Sequence, residues 1–188
     1  MRRILDEEPN GPINPVVHLS NERATVDAAR DMIASQQFDM VHFACHASQD
    51  DHDPLKSGFS LEGGKLTLAD IIRRRHEVES TPKSSMALAF LSACQTSTET
   101  ENFSEEAVHL VAGMLAAGYR GVVGTMWGIP DKYAPVIAEE FYRRLLGRNE
   151  PRADAALALH CATETLRRRL GDSEYSYLAW IPFVHFGL

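Results

Sequence analysis

Met40-Val41-His42-Phe43-Ala44-Cys45-His46 is the stretch that decides the fold of this chain. Residues 40–45 form a nearly unbroken apolar run. A run of that kind reads as a strand buried on both faces, as in a parallel sheet with helices on each side. His46 follows at the C-terminal end of that strand. Met86-Ala87-Leu88-Ala89-Phe90-Leu91-Ser92 repeats the pattern, with Cys94 just beyond it, and Gly121-Val122-Val123-Gly124-Thr125-Met126 repeats it again. Val16–Leu19 and the closing run Ile181–Phe186 are further strand candidates.

Helical spacing fills the intervals. Val26, Ala29 and Ile33 mark a helix from about Arg23 to Gln36, with Ser20 and Asn21 as candidate caps. Ala47–Gly58 is polar and reads as a loop, and Phe59–Leu61 followed by Glu62-Gly63-Gly64-Lys65 reads as a small hairpin. Thr67 and Asp70 form a capping-box pattern before a helix carrying Leu68, Ile71 and Ile72. Ser104 is placed to cap a helix opening on Glu105-Glu106 and closing at Gly118, and Asp131 to cap one with Pro135 in its first turn. Gly147 and Gly171 close the last two long helices. Strands alternating with helices predict an α/β domain with a mostly parallel sheet over residues 16–188. Residues 1–15, with three prolines and a glycine among acids, read as a linker or arm.

Nineteen basic and 26 acidic residues leave a net charge of −7, which argues against a nucleic-acid binder. The arginine runs at 73–75, 143–144 and 167–169 fall in predicted helices and read as solvated helix ends. Three cysteines are too few for a disulfide framework, so a reducing compartment is expected. No apolar run is long enough to span a bilayer. Met1-Arg2-Arg3-Ile4, followed by Asp6, Glu7, Glu8 and Pro9, does not read as a signal peptide, and a cytoplasmic location is the default expectation.

In open parallel sheets, chemistry gathers at the C-terminal ends of strands. His46, Cys94 and the Trp127–Asp131 loop all fall at such ends. A cysteine peptidase needs a thiolate, an imidazole within reach of it, and donors for an oxyanion. The two side chains are 48 residues apart (94 − 46), a length that suits a crossover between neighbouring parallel strands. His42 and Cys45, inside the first strand, read as core, and Cys161 as helix packing. A metal site from His42, Cys45, His46 and Cys94 is the competing arrangement, although paired zinc spacings such as C-x-x-C are absent. Trp127 and Trp180 are aromatic candidates for either a substrate cleft or the core.

The motifs V-H-F-A-C-H (41–46) and A-F-L-S-A-C-Q-T (89–96) together closely resemble the CHAT-domain family of caspase-like cysteine peptidases of clan CD. Residues 107–124, T-M-W-G-I-P-D (125–131), W-I-P-F-V-H-F-G (180–187) and A-T-V (24–26) are similar to the family as well, so the resemblance covers roughly 16–188. It implies a caspase-like three-layer α/β/α sandwich and a cysteine endopeptidase acting on protein or peptide substrates without a cofactor. His46 matches the general acid/base and Cys94 the nucleophile. The backbone N–H groups of Cys94 and of Ala47 match the oxyanion donors. Asp131 matches an acidic position facing the P1 side chain, which implies a basic P1 residue. The family resemblance also implies regulated proteolysis, as in cell-death responses, under a repeat or sensor domain outside this chain. Ala47 stands where the family usually has glycine. Its Cβ restricts φ and crowds a close approach, which keeps an inactive, caspase-like interaction or scaffold module as the alternative.

Overall fold

The computed structural model describes residues 16–35, 38–50, 52–78, 88–92, 103–147 and 154–187, with the backbone alone at 75–78 and 103–107. The chain divides into two units, one comprising 17–128 with 186–188 and the other 129–185 with the segment up to residue 16.

The first unit holds a parallel sheet and a small antiparallel one. Strands β1 (Met40–Phe43), β5 (Leu88–Leu91) and β6 (Gly121–Thr125) run parallel with β5 in the middle. The sheet order ends on β7 (Phe183–Gly187), whose residues 186 and 187 belong to this unit. Every residue of β5 is buried, as the continuous apolar run requires of a strand covered on both faces. β1 departs from the expectation. It is the edge strand, and Met40, Val41 and His42 are only half-buried while Phe43 is buried.

Strands β2 (Ala47–Ser48), β3 (Gly58–Leu61) and β4 (Gly64–Thr67) form the antiparallel sheet. The hairpin is where the sequence placed it, with Phe59 opposite Leu66 and Leu61 opposite Gly64. Residues 47–48, read as loop, are instead a third strand opposite Phe59 and Gly58. Two residues leave too little alternation for a sequence reading to detect. Gly58 admits no side chain, because a Cβ there would lie 2.1 Å from the Leu66 carbonyl oxygen.

Helix α1 (Val26–Ser35) starts later than expected, because a 3₁₀ turn occupies Asn21–Arg23. Thr25, not Ser20 or Asn21, caps it: its hydroxyl accepts the Ala28 N–H at 3.1 Å. Val16–Leu19 is not a strand and has no ladder partner among the described residues. Helix α2 (Leu68–Val78) opens on the expected capping box: the Thr67 hydroxyl accepts from the Asp70 N–H at 3.1 Å, and the Asp70 carboxylate accepts from the Thr67 N–H at 3.2 Å. Asp70 also pairs with Arg30 of α1 at 3.0 Å and with Arg73 at 2.9 Å. Burial would raise the Asp70 carboxyl, but hydrogen bonds from Thr67 and Arg30 outweigh it and hold the group below its ordinary value. Helix α3 (Phe103–Ala116) includes Ser104 rather than starting after it. It ends in a Schellman motif at Gly118 (φ 90°), with Tyr119 N–H donating to the Met114 carbonyl and Gly118 N–H to that of Leu115. Phe59, Leu66, Leu68, Ile71, Met114 and Val122 are fully buried in the core these elements share.

In the second unit, α4 (Ala134–Leu146) and α5 (Ala155–Leu170) pack on each other, burying Ile137, Phe141, Ala158 and Leu166 among others. Asp131 does not cap α4. The cap position is Tyr133, which makes no side-chain cap bond, and Pro135 lies in the first turn as expected. Gly171 (φ 72°) closes α5, and a short helix α6 (Glu174–Trp180) follows under a Ser173–Ser176 capping box. The fold is mixed α/β with a mostly parallel sheet, compatible with a caspase-like sandwich.

Candidate functional site

The ladder between β1 and β5 determines where the candidate side chains emerge. Phe43 is the last paired residue of β1 and lies opposite Leu91, the last of β5. The Ser92 N–H then donates to the Phe43 carbonyl at 2.9 Å and holds the two C-terminal ends together. Phe90 is paired in turn with Val123 of β6. Three parallel strands therefore end side by side, as open sheets with crevice sites require.

His46 lies three residues past Phe43 (46 − 43), between β1 and β2, with its side chain exposed to solvent. Its backbone is not loose, because its carbonyl accepts the Ser60 N–H at 2.8 Å. That bond also orients the next residue. In an antiparallel ladder, hydrogen-bonded and non-bonded positions alternate. With His46 bonded across to Ser60, the Ala47–Phe59 pair is a non-bonded one. The Ala47 N–H is therefore turned away from β3, toward the edge of the three-stranded sheet. The Ala47 side chain goes into the core, with 4% of the residue exposed. Asn21 is the only non-glycine with positive φ among the described residues, so Ala47 needs no glycine-like backbone.

Cys94 lies outside the described residues, which end on this side at Ser92. Trp127 is half-buried, two residues beyond β6. Asp131 is exposed in the turn before α4, where the Tyr133 N–H donates to the Pro130 carbonyl at 3.0 Å, and it belongs to the second unit.

The His42 contact is one that sequence reasoning missed. Its Nε2 and the Ser92 Oγ share a hydrogen bond of 2.8 Å, and its ring leans on Phe90 at 4.8 Å between centroids. His42 is opposite Phe90 in the ladder, and Ser92 follows two residues on, so all three side chains share one face of the sheet. The i, i+2 relation was readable, but the register that brings it to His42 was not. Burial pushes the His42 imidazole down to about 4 and the Cys45 thiol up to about 11, so both are neutral in ordinary buffers. Cys45 packs partly buried against the core, as expected of it. Among the described residues, no three His, Cys, Asp or Glu side chains gather where they could hold a metal, and no helix is long and apolar enough to cross a membrane.

A family model, the CHAT domain, matches residues 8–188 of this chain. None of the curated proteins matches it.

Proposed function

The chain belongs to the CHAT-domain family, whose fold is caspase-like, and from that premise we propose that it is a cysteine endopeptidase with Cys94 as nucleophile and His46 as general acid/base. One observation carries this reading. β1 and β5 are adjacent and parallel, and Phe43 and Leu91 are their last paired residues. His46 and Cys94 each follow three residues later in the sequence (46 − 43 and 94 − 91). Two residues at equal offset from neighbouring strand ends suit an imidazole and a thiol that must meet.

In this mechanism the Cys94 thiolate attacks the scissile carbonyl carbon, and the developing oxyanion is received by backbone N–H groups. The Ala47 N–H, turned off the ladder, supports its role as one donor, with the Cys94 N–H as the other. His46 protonates the leaving amine as the tetrahedral intermediate collapses to a thioester. It then removes a proton from the water that hydrolyses the thioester, and the thiol is regenerated. No cofactor enters these steps. On the sequence correspondence, Trp127 and Asp131 are substrate contacts, Asp131 pairing with a basic P1 side chain. Protein substrates, a regulatory repeat or sensor domain outside this chain, and a cytoplasmic role in regulated proteolysis complete the proposal.

A peptide-based thiol-reactive probe tests it. Covalent labelling is expected at Cys94, abolished by Cys94→Ala and lowered roughly 10²-fold or more by His46→Ala. Absence of labelling at Cys94 in the wild-type protein overturns the peptidase reading in favour of a scaffold module.

A further inference from the structure

Among the described residues, β1 is an edge strand, held through its main chain by β5 alone within its sheet. The ladder that holds it is short, and its last bond is the 2.9 Å contact from the Ser92 N–H to the Phe43 carbonyl. Whatever leaves the two strand ends depends on that register. On one face of the sheet, Phe43 stacks on Phe59 of β3 at 4.1 Å with the rings 5° from parallel. That contact fixes β1 to the antiparallel sheet but not to β5. On the opposite face, the 2.8 Å hydrogen bond between His42 and Ser92 ties β1 to β5 directly.

A hydrogen bond is the kind of contact that discriminates register. A slip of one residue turns every side chain of a strand to the other face. For β5, apolar at all four positions 88–91, such a slip exchanges one apolar face for another, whereas the half-buried imidazole and hydroxyl would each lose the partner they share. The tie is also close to the chemistry in sequence, with Ser92 two residues before Cys94 and His42 four before His46.

We propose that the His42–Ser92 hydrogen bond is a register brace that holds the ends of β1 and β5 so that His46 and Cys94 face one another, making His42 and Ser92 positioning residues of the peptidase site. The proposal rests on the dyad reading above. It separates the two histidines of one motif by role: His46 moves protons, and His42 sets where His46 stands.

The ionisation of Cys94 reads the brace independently of any turnover. The full chain is alkylated with iodoacetamide from about pH 5 to 9, and the Cys94 peptide is followed by mass spectrometry. A thiol facing an imidazolium ionises below the ordinary value, and His46→Ala removes that effect. Ser92→Ala is expected to move the Cys94 profile toward that of His46→Ala, lowering alkylation near pH 6 about tenfold, while Ser92→Thr, which keeps the hydroxyl, retains the wild-type profile. Should Ser92→Ala fold poorly, the double variant His42→Phe/Ser92→Ala replaces both polar partners by apolar ones and is expected to fold while still losing the low ionisation. A Cys94 profile unchanged in these variants, or a Ser92→Thr that fails to restore it, overturns the brace while leaving the dyad standing. Coincident wild-type and His46→Ala profiles overturn both.

Discussion

Within V-H-F-A-C-H (41–46), the half-buried His42 and Cys45 stand against the exposed His46, which shares their kind of chemistry but not their surroundings. His42 sits within the sheet against Phe90, and burial pushes its imidazole down to about 4. Cys45, packed partly against the core, is pushed up to about 11. Burial disfavours the charged form of each, so neither is a useful acid, base or nucleophile at neutral pH. His46 is exposed, and its backbone is tied down through the bond its carbonyl accepts from Ser60. In the proposed dyad, that held main chain positions the ring that transfers protons. Residue identity is thus a weak guide to ionisation within V-H-F-A-C-H, and burial is a stronger one.

Three experiments can break or sharpen this contrast. The largest expected effect is on thiol reactivity. At neutral pH, Cys45 is expected to alkylate about a hundredfold more slowly than an unhindered thiol, because so little of it is thiolate. Peptide-resolved mass spectrometry measures this, and a fast Cys45 would erase the distinction between the packed and the exposed positions of this motif.

Acid stability comes next. His42 titrates lower in the folded chain than its ordinary 6.5. The unfolded chain therefore binds the proton first, and stability falls as pH drops. This contribution is complete above about pH 6.5, drains between there and about 4, and amounts to at most about 3 kcal/mol. Urea unfolding of wild type and His42→Phe/Ser92→Ala at several pH values isolates it, since the variant should lack this slope.

The smallest effect expected is that of Ala47→Gly. Ala47 lies in a strand with its Cβ in the core, so glycine relieves no backbone strain. Probe labelling at Cys94 should stay within about twofold, with a stability loss of up to about 1 kcal/mol. A large gain in labelling would mean that the alanine, despite its buried Cβ, obstructs the site.

Particular residues explain how much could be read in advance. Leu88–Leu91 and Gly121–Thr125 were legible as central strands because burial on both faces demands unbroken apolar runs, and both are buried there apart from a half-buried Thr125. Thr67 with Asp70, and Gly118 with its positive φ, were legible because capping is local chemistry between residues a few positions apart. Val16–Leu19 misled because apolar residues alone do not supply a partner strand. Asp131 misled because an acid ahead of a helix caps it only if the first turn starts within reach, and α4 starts at Ala134. For the candidate site, the histidine and cysteine motifs were visible, while Ser92 was not distinguished from any other serine at a strand end.

Periodicity, caps and the two short motifs, all made of near neighbours along the chain, were enough to set the alternation of strands and helices and to single out His46 and Cys94. Pairing between distant segments was left to the folded chain. It made β1 an edge, put Phe43 opposite Leu91, turned the Ala47 N–H off its ladder and brought His42 against Ser92. Register is the physical reason for the division: local propensity limits what each segment becomes, but which residue faces which across 50 positions is set only when the side chains of both strands are buried together.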